Sequence, residues 1–131
     1  MDDEPTHEFT DDFYGWITHT ELSSTDPTAT GEWCATVFGW TLRPPFTTPA
    51  GDYHLFAYSA AGGGGIRQTG DSETPGSTPT VHVRNTREAF DAALSAGAEP
   101  IAAPETIMPG VCIATVRAPG GVVIGLSGPT D

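Results

Sequence analysis

His19 stands two residues before Glu21 in GWITHTELSSTDP, residues 15–27. An imidazole and a carboxylate at alternate positions of a strand share one face. Such a pair can ligate a divalent metal, or act as a general base on a proton beside a carbonyl. Arg67, in GGGGIRQTG, carries a fork of N–H donors that suits a carboxylate or a phosphate. Thr78, Thr80 and His82 alternate along STPTVHVRN and again share a face. Glu21 and His19 are therefore the catalytic candidates, and Arg67, His82, Thr78 and Thr80 the substrate-binding ones. Arg67 suits a pairing with Glu21 equally well, because a buried guanidinium needs a counter-charge. Histidines such as His82 and His54 more often serve as wall or surface residues than as catalysts.

The elements that must position these residues are readable from breakers and caps. A strand over 16–24 puts His19, Glu21 and Ser23 on one face and turns Thr20 and Leu22 to the other. Asp26-Pro27 then opens a helix: aspartate caps, and proline suits the first helical position. Ala29, Trp33, Val37 and Phe38 recur at helical spacing, so the helix should run to about Phe38; Gly39 ends it. Trp33 and Trp40 are expected in the core, and Gly31 weakens the helix slightly. Cys34 and Cys112 form no C-x-x-C pair and read as buried free thiols.

Pro44-Pro45 and Pro49-Ala50-Gly51 divide the chain after this helix into short strands at about 41–47, 52–59 and 64–69. AAGGGG reads as a flexible turn; it lacks the G-K-[ST] and the adjoining helix of a phosphate loop. GLSGP lacks the strand-to-helix setting of a nucleophile elbow. Residues 70–77 read as a linker. A strand at 78–85 comes next, with Val81 and Val83 facing a helix that has Asn85 and Glu88 in capping-box spacing and Gly97 at its end. Three more strands close the chain.

The order is βαβββ twice. Placing Asp26 on Asn85 brings Phe38-Gly39-Trp40 onto Gly97-Ala98-Glu99 and Leu42 onto Ile101 without a gap. The predicted fold class is α+β: tandem βαβββ modules whose curved mixed sheets enclose a cavity, with the helices on the convex side. One domain would span 15–131, as modules 15–69 and 78–131. Residues 1–14 would be an acidic arm pinned by Phe9, Phe13 and Tyr14. Trp16, Tyr53 and Phe56 would wall the cavity.

ITHTELSSTDPTATGEWCATVFGW and MPGVCIATVRAPGGVVIGL resemble the vicinal oxygen chelate superfamily, which includes glyoxalases, bleomycin-resistance proteins and extradiol dioxygenases. The resemblance implies a metal held from the first and last strands of each half. His19, seven residues before the cap Asp26, matches one such position; Thr78, seven before Asn85, does not. Where the superfamily carries glutamate in I-E-L, this chain has Arg67 in IRQ and Gly125 in IGL. One ligand position of four is filled, so a divalent metal is disfavoured, with His19 its ligand if there is one. A shift of register would bring in Gln68 or His82. The cofactor stays open. The implied function is binding or transforming a small oxygenated molecule, anionic if Arg67 clamps it, without the usual metal centre. The alternatives are a drug- or metabolite-sequestering protein and a metal-dependent lyase or dioxygenase. The resemblance also implies a homodimer.

Charge excludes other classes. Five arginines and no lysine face 17 acidic residues in 131, for a net charge of −12. Such a surface repels nucleic acid and anionic membranes. No apolar run reaches the roughly 18 residues of a membrane span, and the N-terminus lacks a signal-peptide pattern. These features predict a cytoplasmic protein, and the lysine-free acidity suits a salty cytoplasm.

Overall fold

The computed structural model describes residues 13–48, 51–59 and 62–130. The architecture is α+β, in the order β1 (Ile17–Ser24), α1 (Pro27–Phe38), β2 (Thr41–Leu42), β3 (Phe46–Thr48), β4 (Gly51–Ser59), β5 (Gly62–Gln68), β6 (Gly76–His82), α2 (Thr86–Ser95), β7 (Glu99–Met108), β8 (Val111–Arg117) and β9 (Val123–Gly128). The chain forms two compact units. The first is His19–Ser77; the second combines residues 78–130 with the segment 13–18. No described helix is long and apolar enough to cross a membrane. Phe9 and most of the expected arm lie outside the described residues.

In the first unit the strand order is β2-β4-β5-β1, and β3 pairs with β4. β1 runs parallel to β5, pairing Glu21 with Gly65 and Ser23 with Arg67. β4 runs antiparallel to β5, pairing Leu55 with Gly65 and Phe56 with Gly64. The expected caps hold α1. The Asp26 carboxylate accepts from the Ala29 N–H at 3.1 Å, and Gly39 closes the helix in the left-handed region with φ 74°. The strand expected at 41–47 is instead two short strands, β2 and β3, interrupted at Arg43-Pro44-Pro45, since proline has no N–H to offer the ladder.

Two expectations fail here for steric reasons. Trp33, expected in the core, is 57% exposed, on the outward side of α1 with Ala29, Val37 and Phe38. The buried residues of α1 are Gly31 and Cys34. A Cβ on Gly31 would meet Leu42 Cδ1 at 3.4 Å and Ile66 Cδ1 at 3.5 Å. The helix therefore approaches the sheet on its smallest residues, and the large ones turn outward. Trp40 does pack, stacked on Phe56 with ring centroids 4.5 Å apart. Secondly, the glycine run is no turn: Gly62–Gly65 begin β5 and are buried between β4 and β1.

In the second unit the order is β6-β9-β8-β7, with β6 parallel to β9. Asn85 caps α2 by accepting from the Glu88 N–H at 2.9 Å. Phe90, Ala114, Val116 and Leu126 form the core, with Val83, Ala89, Ala93, Leu94 and Ala98 packed on it. Burying each of the larger side chains contributes about 1.5–3 kcal/mol. Thr86 is fully buried and its hydroxyl donates to the Cys112 carbonyl at 2.7 Å, so the polar group costs little. Cys34 and Cys112 are buried free thiols, and burial pushes the Cys34 thiol up.

Candidate functional site

Alternation on three neighbouring strands builds one polar cluster in the first unit. β1 presents His19, Glu21 and Ser23, β5 presents Gly65 and Arg67 beside them, and β4 contributes Tyr53. The Tyr53 hydroxyl donates to Glu21 Oε1 at 3.3 Å and lies 3.4 Å from His19 Nε2. Tyrosine has one proton to give. While the Tyr53 O–H points to Glu21, any hydrogen shared with His19 comes from Nε2, in the tautomer that keeps its lone pair on Nδ1. Burial holds the His19 pKa below its ordinary value, opposed by the Glu21 charge. Burial also raises the Tyr53 pKa, reinforced by the charge and hydrogen bond of Glu21, so the phenol stays protonated.

Tyr53 reaches this place because Gly65 has no side chain. A Cβ there would collide with the Tyr53 ring, whose atoms are its nearest neighbours. The sequence suggested Tyr53 only as a wall residue. The glycine run was the signal for its real position, since a strand of glycines admits close packing by a ring on either face. Phe56, expected as another wall, lies on the opposite face with Trp40. Trp16 is 54% exposed.

Arg67 and Glu21 meet: Arg67 Nε donates to Glu21 Oε2 at 2.9 Å. The rest of the guanidinium turns to a residue the sequence did not single out. Arg67 Nη1 and Nη2 donate to the two oxygens of Glu73 at 2.7 and 2.6 Å, and Nη1 also reaches the Gln68 carbonyl at 3.3 Å. Glu73 belongs to the segment expected to be a plain linker. The backbone N–H of Gly70 donates to it at 2.9 Å, and Ser23 Oγ accepts from the Gly76 N–H at 3.1 Å, which ties the segment down. The Arg67 fork, helped by the Gly70 N–H, holds the Glu73 carboxyl down at about 2. No composition signal marks Glu73; a carboxylate in a polar loop has many uses.

Gln68, one residue on, lies on the other face, where its Nε2 donates to the Thr25 carbonyl at 3.3 Å. It lines a separate hollow of about 350 Å³ with Asp26, Asp52 and His54.

The second unit positions the other candidates. Thr80 pairs with Gly125 and His82 with Ser127. Thr78 and Thr80 are half-buried. His82 is 2% exposed and stacks on Tyr14, with centroids 5.1 Å apart. Arg84 lies over the Tyr14 ring at 4.3 Å. Thus Tyr14 does anchor the segment that precedes β1. His82 also lines a hollow of about 170 Å³ with Val111, Ser127 and Pro129. At Gly125 a Cβ would fall 2.6 Å from Thr80 Oγ1, so a longer side chain there would have to displace Thr80. Among the described residues no group of three or more His, Cys, Asp or Glu side chains is arranged to hold a metal ion.

No family model matches the sequence, and no curated protein matches it significantly. Solved structures do match. Methylmalonyl-CoA epimerase from Mycobacterium tuberculosis superposes with a TM-score of 0.68 at 18% identity, over 89% of this chain and 89% of that one. The Streptomyces coelicolor methylmalonyl-CoA epimerase, solved with 2-nitronate-propionyl-CoA, gives 0.64 at 13%, over 88% and 96%. A glyoxalase/bleomycin resistance protein/dioxygenase superfamily member from Vibrio splendidus gives 0.61 at 10%, over 82% and 94%.

Proposed function

The chain has the vicinal oxygen chelate fold, and from that premise we propose that it binds a small oxygenated molecule and moves a proton beside its carbonyl without a metal. The observation that carries this reading is the Tyr53 hydroxyl set between His19 Nε2 and Glu21 Oε1. A base must offer a lone pair near neutral pH, and burial lowers the His19 pKa, which favours the neutral imidazole. His19 takes the proton next to the carbonyl; the C–H electron pair moves through the enolate onto the carbonyl oxygen. The Tyr53 O–H, turning from Glu21, donates to that oxygen. Return of the proton to carbon completes the cycle. Glu21 holds Tyr53 and Arg67 in place. Two of the proteins sharing the fold are named as epimerases, and a stereocentre beside a carbonyl can invert when its proton is removed and one is returned to the opposite face.

The metal-free part of the reading rests on the donor set. Arg67, at a position where the resemblance expects a ligand, cannot ligate, and its charge repels a cation. Thr80 crowds the place a carboxylate would need at Gly125. We also infer a cytoplasmic homodimer. Strand β7, at the end of its sheet order, leaves Ile101, Ile107 and Met108 about half exposed. Light scattering should give twice the chain mass; a single-chain mass refutes the dimer.

The test is deuterium wash-in from D₂O into hydroxyacetone and related α-hydroxy ketones. The wild type should exceed the buffer rate, and His19→Ala and Glu21→Ala should fall back to it while still binding the ketone. Binding with no wash-in by the wild type overturns proton transfer and leaves a sequestering protein.

A further inference from the structure

We propose that Glu73 is a specificity-determining residue, which by occupying the fork of Arg67 bars anionic ligands from the His19–Tyr53–Glu21 cluster and leaves it to uncharged carbonyl compounds. The inference rests on the reading of that cluster as the ligand site and adds the ligand's charge class to it.

The geometry is that of a filled anion site. Two parallel N–H···O bonds at 2.7 and 2.6 Å are the way a guanidinium grips a ligand carboxylate, and here the carboxylate is the chain's own. A guanidinium has five N–H donors. Four are engaged: one by Glu21, two by Glu73 and one by the Gln68 carbonyl. An incoming anion finds one donor and meets two carboxylates, Glu21 and Glu73, for a single guanidinium. Burial disfavours a charge on His19, so it offers an anion little attraction. The protonated Tyr53 hydroxyl remains a suitable donor to an uncharged carbonyl oxygen. Glu73 sits on a tethered segment, fixed by the Gly70 N–H and by Ser23 through Gly76, so it is held at Arg67 rather than recruited from solution.

Removing the resident carboxylate should open the fork. The probes are hydroxyacetone and pyruvate, which are alike in size and differ in that a CH₂OH group stands where the other has a carboxylate. Titration calorimetry of the wild type should show hydroxyacetone bound at least tenfold more tightly than pyruvate. Glu73→Gln should gain at least tenfold for pyruvate, with hydroxyacetone little changed. The gain should disappear in Glu73→Gln/Arg67→Met and shrink strongly in 1 M NaCl. Glu73→Ser provides a second opening of the fork, and circular dichroism verifies that each variant is folded. Pyruvate bound by the wild type as tightly as hydroxyacetone overturns the proposal. So does a folded Glu73→Gln or Glu73→Ser with no gain for pyruvate. If wash-in activity is present while that gain is absent, only this inference falls. If the wild type binds neither probe and shows no wash-in, the ligand-site reading falls, and the charge class with it.

Discussion

Replacing Gly65 by alanine should dislodge Tyr53 while leaving strand β5 in place. The three nearest atoms to a Cβ at that position all belong to the Tyr53 side chain and none to the backbone, so the ring and not the sheet must yield. Overpacking of this kind costs about 1–3 kcal/mol. Alanine returns about 0.5–1 kcal/mol, because glycine is unfavourable inside a strand. Losing the hydrogen bonds of the Tyr53 hydroxyl, which are long at 3.3 and 3.4 Å, costs roughly 0.5–1 kcal/mol more. The net expectation is a loss of about 1–3 kcal/mol. In a Tyr53→Ala background the obstacle is gone, and Gly65→Ala should be neutral or stabilising by up to about 1 kcal/mol. The coupling between the two positions is then about 1–4 kcal/mol, large enough for a double-mutant cycle to resolve. Urea denaturation reads it directly. With slopes of about 1–3 kcal/mol per molar, the midpoint should fall by about 1 M in the Tyr53 background and stay or rise in the Tyr53→Ala background. Equal shifts in both would refute the contact between the ring and Gly65, and with it the placement of the hydroxyl.

The His19 imidazole should titrate below 6.5, because burial opposes its charge, and Glu21→Gln should lower the midpoint further by removing the favourable charge; NMR of the ring protons measures both, and a midpoint above 6.5 contradicts it. Since the native pKa of Glu73 is depressed from 4.5 to about 2, its share of stability is complete above about 4.5 and is lost as pH falls toward 2. Acid denaturation of Glu73→Gln should lack that component, and an unchanged pH profile would count against the pairing. Asn85→Ala should cost about 1 kcal/mol through the loss of the α2 cap, read by thermal or urea melting. Thr86→Val removes the buried donor to the Cys112 carbonyl and should cost about 1–3 kcal/mol, a loss well beyond that of a surface change.

Caps, breakers and the tandem repeat were legible because they are local. Asp26-Pro27, Gly39 and Asn85 act on the few residues beside them, and each does what its type dictates. Parity along β1 was equally local, and it put His19 and Glu21 on one face. What failed needed tertiary knowledge. The apolar stripe of α1 competed with the close approach that Gly31 permits, and proximity to Leu42 and Ile66 outweighed the burial of Trp33. The glycine run of β5 looked like a turn because its stabilising partners, the strands and rings packed against it, are remote in sequence. Glu73 could not be seen at all: its role comes from a loop folding back on Arg67, and nothing in GDSETPGS distinguishes it from a solvated carboxylate.

On the proposed function, the His19–Tyr53–Glu21 cluster moves a proton without a bound metal. Elemental mass spectrometry of the purified protein, together with the wash-in assay before and after exhaustive chelation, tests it most directly. Far less than one equivalent of nickel, zinc, iron, cobalt or manganese per chain is expected, with a wash-in rate that chelation leaves unchanged. One equivalent of such a metal, with activity lost on chelation and restored by adding the ion back, would contradict it.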